Sequence, residues 1–123
     1  MLNDRNVTAD SAIEAYATWT YDNNRTAWTA VLGEARGGRD VHAVAAPARL
    51  EDYEGLAPAY IEVGDLDIFR DEDILYAHRL AQAGAPIELH VHPGAPHGFD
   101  RLAPNSQLAR RAMRDRTRVL LSL

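Results

Sequence analysis

Ala59-Tyr60-Ile61-Glu62-Val63-Gly64 and Ile87-Glu88-Leu89-His90-Val91-His92 are the stretches whose reading decides the fold. In the first, Ala59, Ile61 and Val63 alternate with Tyr60 and Glu62 and stop at Gly64. In the second, Ile87, Leu89 and Val91 alternate with Glu88, His90 and His92 and stop at Pro93-Gly94. A period of two closed by a turn signal predicts a strand in each case. Between them, Asp71 to Ala83 spaces Ile74, Leu75, Ala77, Leu80 and Ala81 at helical intervals, with acids at its start and Gly84 placed to end it. Residues 59–92 therefore read as strand, helix, strand, and a crossover that contains a helix makes its two strands parallel.

Working outward, Asn105 or Ser106 caps a last helix whose apolar face is Leu108, Ala112, Met113, Val119, Leu120 and Leu123, with Arg110, Arg111, Arg114 and Arg118 on the solvated side. Upstream, Ser11-Ala12-Ile13-Glu14 has the form of a capping box and predicts a helix start. Tyr16, Ala17 and Trp19 continue its apolar face until Asp22-Asn23-Asn24 breaks it. Thr26 to Leu32 forms a second helical piece closed by Gly33. Trp19 and Trp28 are packing anchors, and no basic stripe accompanies them to make a stacking platform for bases. Residues 34–58, with Gly37-Gly38, Pro47 and Pro58 and no sustained periodicity, read as a long connection over the surface.

The chain has 123 residues, 46% hydrophobic and 25% charged, enough for one core. All 13 basic residues are arginine, which removes Schiff-base and P-loop lysine chemistry. Without cysteine there is no disulfide, thiolate metal site or thiol nucleophile. A net charge of -5 argues against nucleic acid as a partner. The absence of a long apolar run and of a basic, apolar leader predicts a cytoplasmic chain with no membrane partner.

Functional groups of a parallel α/β sheet gather where its strands end. Gly64-Asp65-Leu66-Asp67 leaves the first strand and Pro93-Gly94-Ala95-Pro96-His97-Gly98-Phe99 leaves the second. Neighbouring strands lie ~5 Å apart, so Asp67 and His97 can meet. A carboxylate on one imidazole nitrogen fixes the tautomer and leaves the other nitrogen as general base and then acid. Asp65 is the rival acid. His90, His92 and His97 raise a metal hypothesis, but no further ligand accompanies them, and they read more simply as polar residues on the solvated or helix-covered side of the strand. Asp65, Asp67, Asp71, Glu72 and Asp73 lack the calcium-loop pattern, because Phe69 and Arg70 stand where a ligand and a glycine belong. Asp71-Glu72-Asp73 is favourable charge at a helix N-terminus.

The stretches Tyr60 to Glu72 and Ile87 to Phe99, with Ala46-Pro47-Ala48-Arg49 and Gly55-Leu56-Ala57-Pro58 upstream, closely resemble the C-terminal part of the hormone-sensitive-lipase-like alpha/beta-hydrolase esterases. The resemblance implies a partial alpha/beta-hydrolase fold. Residues 1–58 would be the helical and loop segment before the penultimate strand. Residues 59–123 would be the βαβ unit and C-terminal helix of the core. It further implies Asp67 as catalytic acid and His97 as catalytic histidine, with Ile68-Phe69 in place of the family's Pro-Leu after the acid. Leu66 and Phe99, beside them, are candidates for the substrate wall. The implied reaction is hydrolysis of a small carboxylic ester, with no cofactor and no metal.

That family's nucleophile lies in a G-x-S-x-G elbow and its oxyanion donors in a His-Gly-Gly-Gly stretch. Neither occurs in these residues. Ser11, Ser106 and Ser122 are the serines, and none is flanked by glycines. The expectation is therefore a chain inactive alone, whose partner is the missing N-terminal half or a second copy. The alternative is an inactive fragment that serves as a partner-binding or self-associating module.

Overall fold

The computed structural model describes residues 1–6 and 11–122. Helix α1 spans Ser11–Glu14 and α2 spans Tyr21–Leu32. The capping box expected at Ser11 involves side chains outside the described residues. Asp22-Asn23-Asn24, expected to end a helix, instead forms the first turn of α2. The cause is a capping box one step earlier. The Thr20 hydroxyl accepts from Asn23 N at 3.2 Å, and the Asn23 carboxamide oxygen accepts from Thr20 N at 3.0 Å. Polar residues that interrupt a helix interior satisfy free donors at its start. Gly33 ends α2 with φ 55°, as its position suggested.

The connection over 34–58 holds only single 3₁₀ turns at Gly33–Ala35 and Pro47–Arg49. It is nonetheless packed: Val41 and Ala46 are buried with Trp28, and Tyr53 meets Tyr76 edge-on at 5.5 Å. An ion pair pins it to the N-terminus. Arg49 donates from Nε and Nη2 to the two oxygens of fully buried Asp4 at 2.7 and 2.6 Å, and Gly37 N donates to the same carboxylate at 2.7 Å.

Strands β1 (Ala59–Gly64) and β2 (Ile87–His92) pair in parallel, from Ala59 opposite Ile87 to Gly64 opposite His92. Helix α3 (Arg70–Gln82) makes the crossover. Its end is a glycine turn: Gly84, at φ 80°, donates to Ala81 O while Ala85 donates to Leu80 O at 3.0 Å. Of its expected apolar face only Ala77 and Leu80 are buried, whereas Ile74, Leu75 and Ala81 are exposed. Two strands are narrower than the stripe the sequence paints, so its margins find nothing to cover. A second cluster of Ile13, Tyr21, Val63, Ile68 and Phe69, with Ala17 and Trp19 against it, seats the N-terminal segment on the end of β1.

A one-turn helix α4 (Phe99–Leu102), unexpected from sequence, follows Gly98. Helix α5 (Gln107–Leu120) starts where Ser106 Oγ accepts from Ala109 N at 3.1 Å. Its inner face differs from the one expected. Ala109 and Ala112 are buried, Met113 and Leu120 are exposed, and Leu123 lies outside the described residues. Ion pairs join the helix to its surroundings on this side: Arg116 pairs with Glu62 and, at 2.5 Å, with Asp100, while Arg118 pairs with Glu88. The Tyr60, Glu62, Glu88, His90, His92 side of the sheet is thus helix-covered and charged. No described helix is long and apolar enough to cross a membrane.

Candidate active site

The two loops that leave the sheet are joined backbone to backbone. Asp65 N donates to His92 O at 3.0 Å and Leu66 N to Ala95 O at 3.1 Å. The Asp65 carboxylate accepts from Gly94 N at 2.7 Å. Such an approach requires Gly64, because a Cβ there would stand 1.9 Å from Ala95 O. The colliding atom is backbone, so the second loop itself would have to move. Gly64→Ala should therefore cost about 1–3 kcal/mol, the range for overpacking a filled site. It should also separate Asp67 from His97. Denaturant titration and the pKa of His97 by proton NMR check both effects, and an unchanged chain would contradict the contact.

Within this frame Asp67 is held by its own turn. Its Oδ1 accepts from Phe69 N at 3.0 Å, and its carbonyl accepts from Arg70 N at 3.1 Å. That leaves Oδ2 for His97 Nδ1, 2.9 Å away. Asp67 is buried, whereas the His97 side chain is 44% exposed. Asp67, not its rival Asp65, meets the imidazole, since Asp65 spends its carboxylate on the Gly94 turn. With Nδ1 donating to the carboxylate, Nε2 of the neutral ring is the free lone pair. The Asp67 hydrogen bond holds the His97 pKa above its ordinary value, against the smaller opposing effect of burial.

Three contacts that sequence reasoning missed hold His97, two from the N-terminal side and one from the turn just before α3. Thr18 Oγ1 donates to His97 O at 2.5 Å. The Trp19 ring lies 6.1 Å from the imidazole, and Phe69 meets it edge-on at 5.4 Å. Gly98, with φ 68°, turns the chain directly behind it. Of the residues expected to wall a pocket, Leu66 is half-buried beside the acid, and Phe99 places its ring 5.1 Å from that of His92.

The acidic run after Asp67 divides by role. Asp71 is exposed and pairs with Arg70, as a helix-start charge would. Glu72 does not: it is buried, accepting from Leu2 N at 2.6 Å and from the Asn6 carboxamide at 2.7 Å. Burial pushes its pKa up, with these bonds opposing. Burial, then the neighbouring Glu72 charge, pushes Asp73 up to about 7. His90 bonds Glu88 at 2.7 Å and stacks on His92, which is almost fully buried. Among the described residues no group of three or more His, Cys, Asp or Glu could hold a metal ion.

An acid buried behind a half-exposed imidazole, with the imidazole's outer nitrogen unclaimed among the described residues, is equipped to take a proton from a nucleophile and return it to a leaving group. Residues 2–101 match the family described as alpha/beta hydrolase fold. Over 66 residues, 51% of this chain and 21% of the relative, the sequence is 42% identical to Esterase LipI of Mycobacterium tuberculosis. It is 35% identical to Hormone-sensitive lipase of Bos taurus over 71 residues, 55% of this chain and 9% of that one. The solved structure of a Bacterial Heroin Esterase superposes with a TM-score of 0.81 at 35% identity, covering 94% of this chain and 37% of that chain. The chain thus spans well under half the length of these relatives.

Proposed function

The chain belongs to the alpha/beta-hydrolase fold family, among its hormone-sensitive-lipase-like esterases and lipases, and from that premise we propose that it contributes the acid and the histidine of a carboxylic ester hydrolase. The observation that carries the reading is the 2.9 Å contact between His97 Nδ1 and buried Asp67 at the ends of two parallel strands. A glycine-flanked serine from a segment outside these residues attacks the ester carbonyl. His97 Nε2 takes its proton and passes it to the leaving alcohol, Asp67 stabilises the imidazolium, and water then releases the acid by the same route. Acyl transfer through serine needs proton transfer and oxyanion donors and involves no change of oxidation state, so the step calls for no cofactor. Leu66 and Phe99 contribute to the wall around a small ester.

The nucleophile-bearing segment adds to the sheet along β1. Its outer edge borders a groove of about 430 Å³ whose lining includes the apolar Leu2, Ala59, Ile61 and Tyr76, with Arg116 among its charged residues. Among the described residues no strand pairs with this edge, and an unpaired edge beside apolar side chains is a template for another strand. The test replaces the corresponding C-terminal portion of the heroin esterase relative by this chain and assays hydrolysis of a short-chain p-nitrophenyl ester. Hydrolysis is expected. A folded chimera with none would remove the catalytic reading and leave the partner-binding one.

A further inference from the structure

We propose that Asn6 is a positioning residue for the acid: its carboxamide clamps the turn that carries Asp67 and so sets the contact between Asp67 and His97. The inference rests on the acid–histidine reading above. Asn6 Nδ2 donates one hydrogen to Ile68 O at 2.9 Å, in the residue next to Asp67, and the other to Glu72 Oε2 at 2.7 Å. Both acceptors lack a proton to give while Glu72 is ionised, so the orientation of the carboxamide is forced by chemistry. The bond to Ile68 O acts on the segment between Asp67 and Phe69. That segment has no proline to preset its backbone, and the Phe69 N–H at its far end is the donor that fixes Asp67 Oδ1.

Asn6 is itself held. Asn24, fully buried on α2, donates from its carboxamide to Asn6 O at 2.6 Å. The other oxygen of Glu72 accepts from Leu2 N at 2.6 Å. A run of hydrogen bonds therefore extends from α2 through Asn6 to the acid turn and the first turn of α3. Glu72 is buried, and its carboxylate takes both hydrogen bonds from the N-terminal segment. This explains why an acid beside the helix start faces inward while Asp71 faces water. The N-terminal segment thus does more than cover the sheet: through Asn6 it grips the Asp67 turn, and through Thr18 it grips the His97 carbonyl.

The experiment follows the pKa of His97 in the intact chain by proton NMR, with Asp67→Asn as the reference. Asp67→Asn should lower the His97 pKa by removing its partner, and if it does not, the acid–histidine reading itself fails. Asn6→Ala should then lower it by at least half of the same interval while far-UV circular dichroism is unchanged. Asn6→Asp, which keeps the shape but sets a carboxylate against Ile68 O and Glu72, should lower it as well. A merely electrostatic effect of the added charge would raise it instead. A normal Asp67→Asn shift with both Asn6 variants at the wild-type value overturns the inference. Should either variant fail to fold, the wild-type chain decides. The Asn6 carboxamide protons are expected to exchange slowly with water, and exchange at the rate of a free asparagine side chain overturns it equally.

Discussion

In an assembly that supplies the serine, His97→Ala and Asp67→Asn should each lower ester hydrolysis by about 10⁴-fold, the scale on which a triad responds when its base is lost or left in the wrong tautomer. The two losses have different origins. Alanine removes the group that accepts the serine proton. Asparagine keeps the shape of Asp67 but presents an amide N–H or a neutral oxygen to His97 Nδ1, so the ring is no longer locked with Nε2 as acceptor. The double variant should lose about as much as either single one, because the residues act as a unit. The pH profile separates the cases further. The Asp67 hydrogen bond raises the His97 pKa, so the base is neutral only at pH above that raised value, and the wild-type rate climbs through it. Removing the carboxylate lowers the pKa, so the residual activity of Asp67→Asn should begin its rise at lower pH than wild type. Steady-state rates on a p-nitrophenyl ester across pH 5–9 measure both quantities. Rates within tenfold of wild type would contradict the roles given to these residues.

The βαβ unit and the pair at its C-terminal edge were legible in the sequence because each depends on local pattern. Alternation at 59–63 and 87–92 names the strands, Gly84 stops the helix between them, and parallel pairing brings the two following loops together. What stayed hidden depends on contacts distant in sequence. Asn6 and Glu72 are 66 residues apart, Thr18 and His97 are 79 apart, and no periodicity relates either pair. The acids after Asp67 show how composition misleads: a helix start favours three carboxylates equally, yet tertiary contacts turn Glu72 inward. Two faces failed for a related reason. Counting apolar residues on α3 and α5 assumes that every one is covered, whereas α3 meets two strands and α5 buries Ala109 and Ala112 on the side where Arg116 pairs with Glu62 and Asp100. The Asp22-Asn23-Asn24 error was local: residues that disfavour a helix interior favour its first turn, and Thr20 was the signal.

Arg49→Met should destabilise the chain by about 3–5 kcal/mol, the cost of removing one partner from a buried ion pair. For a domain whose whole stability is roughly 5–15 kcal/mol this is a severe loss. The reason lies with the partner left behind. Asp4 is fully buried, and with the guanidinium gone its carboxylate is left with neutral backbone donors, the N–H groups of Gly37 and of Asp4 itself. Adding Asp4→Leu to Arg49→Met should recover part of the loss, since an apolar pair has no charge to desolvate, but not all of it, because Gly37 N then loses its carboxylate acceptor and Gly38 O loses the Arg49 donor and keeps the longer bond from Arg5 Nη2 at 3.3 Å. The dependence on pH has opposite signs in the two chains. In wild type, burial would raise the Asp4 pKa, but the hydrogen bonds from Arg49 and Gly37 outweigh it and hold it below 3.8. The stabilisation from Asp4 is therefore complete above that value and is lost as pH falls through the depressed one. In Arg49→Met burial prevails, the folded pKa rises above the unfolded one, and protonating Asp4 on the way down relieves the folded state. The gap between wild type and Arg49→Met should therefore be widest near pH 7 and narrow towards pH 4 in urea titrations. A gap that is constant with pH would place the stabilising effect of Arg49 in its packing rather than in the charge of Asp4.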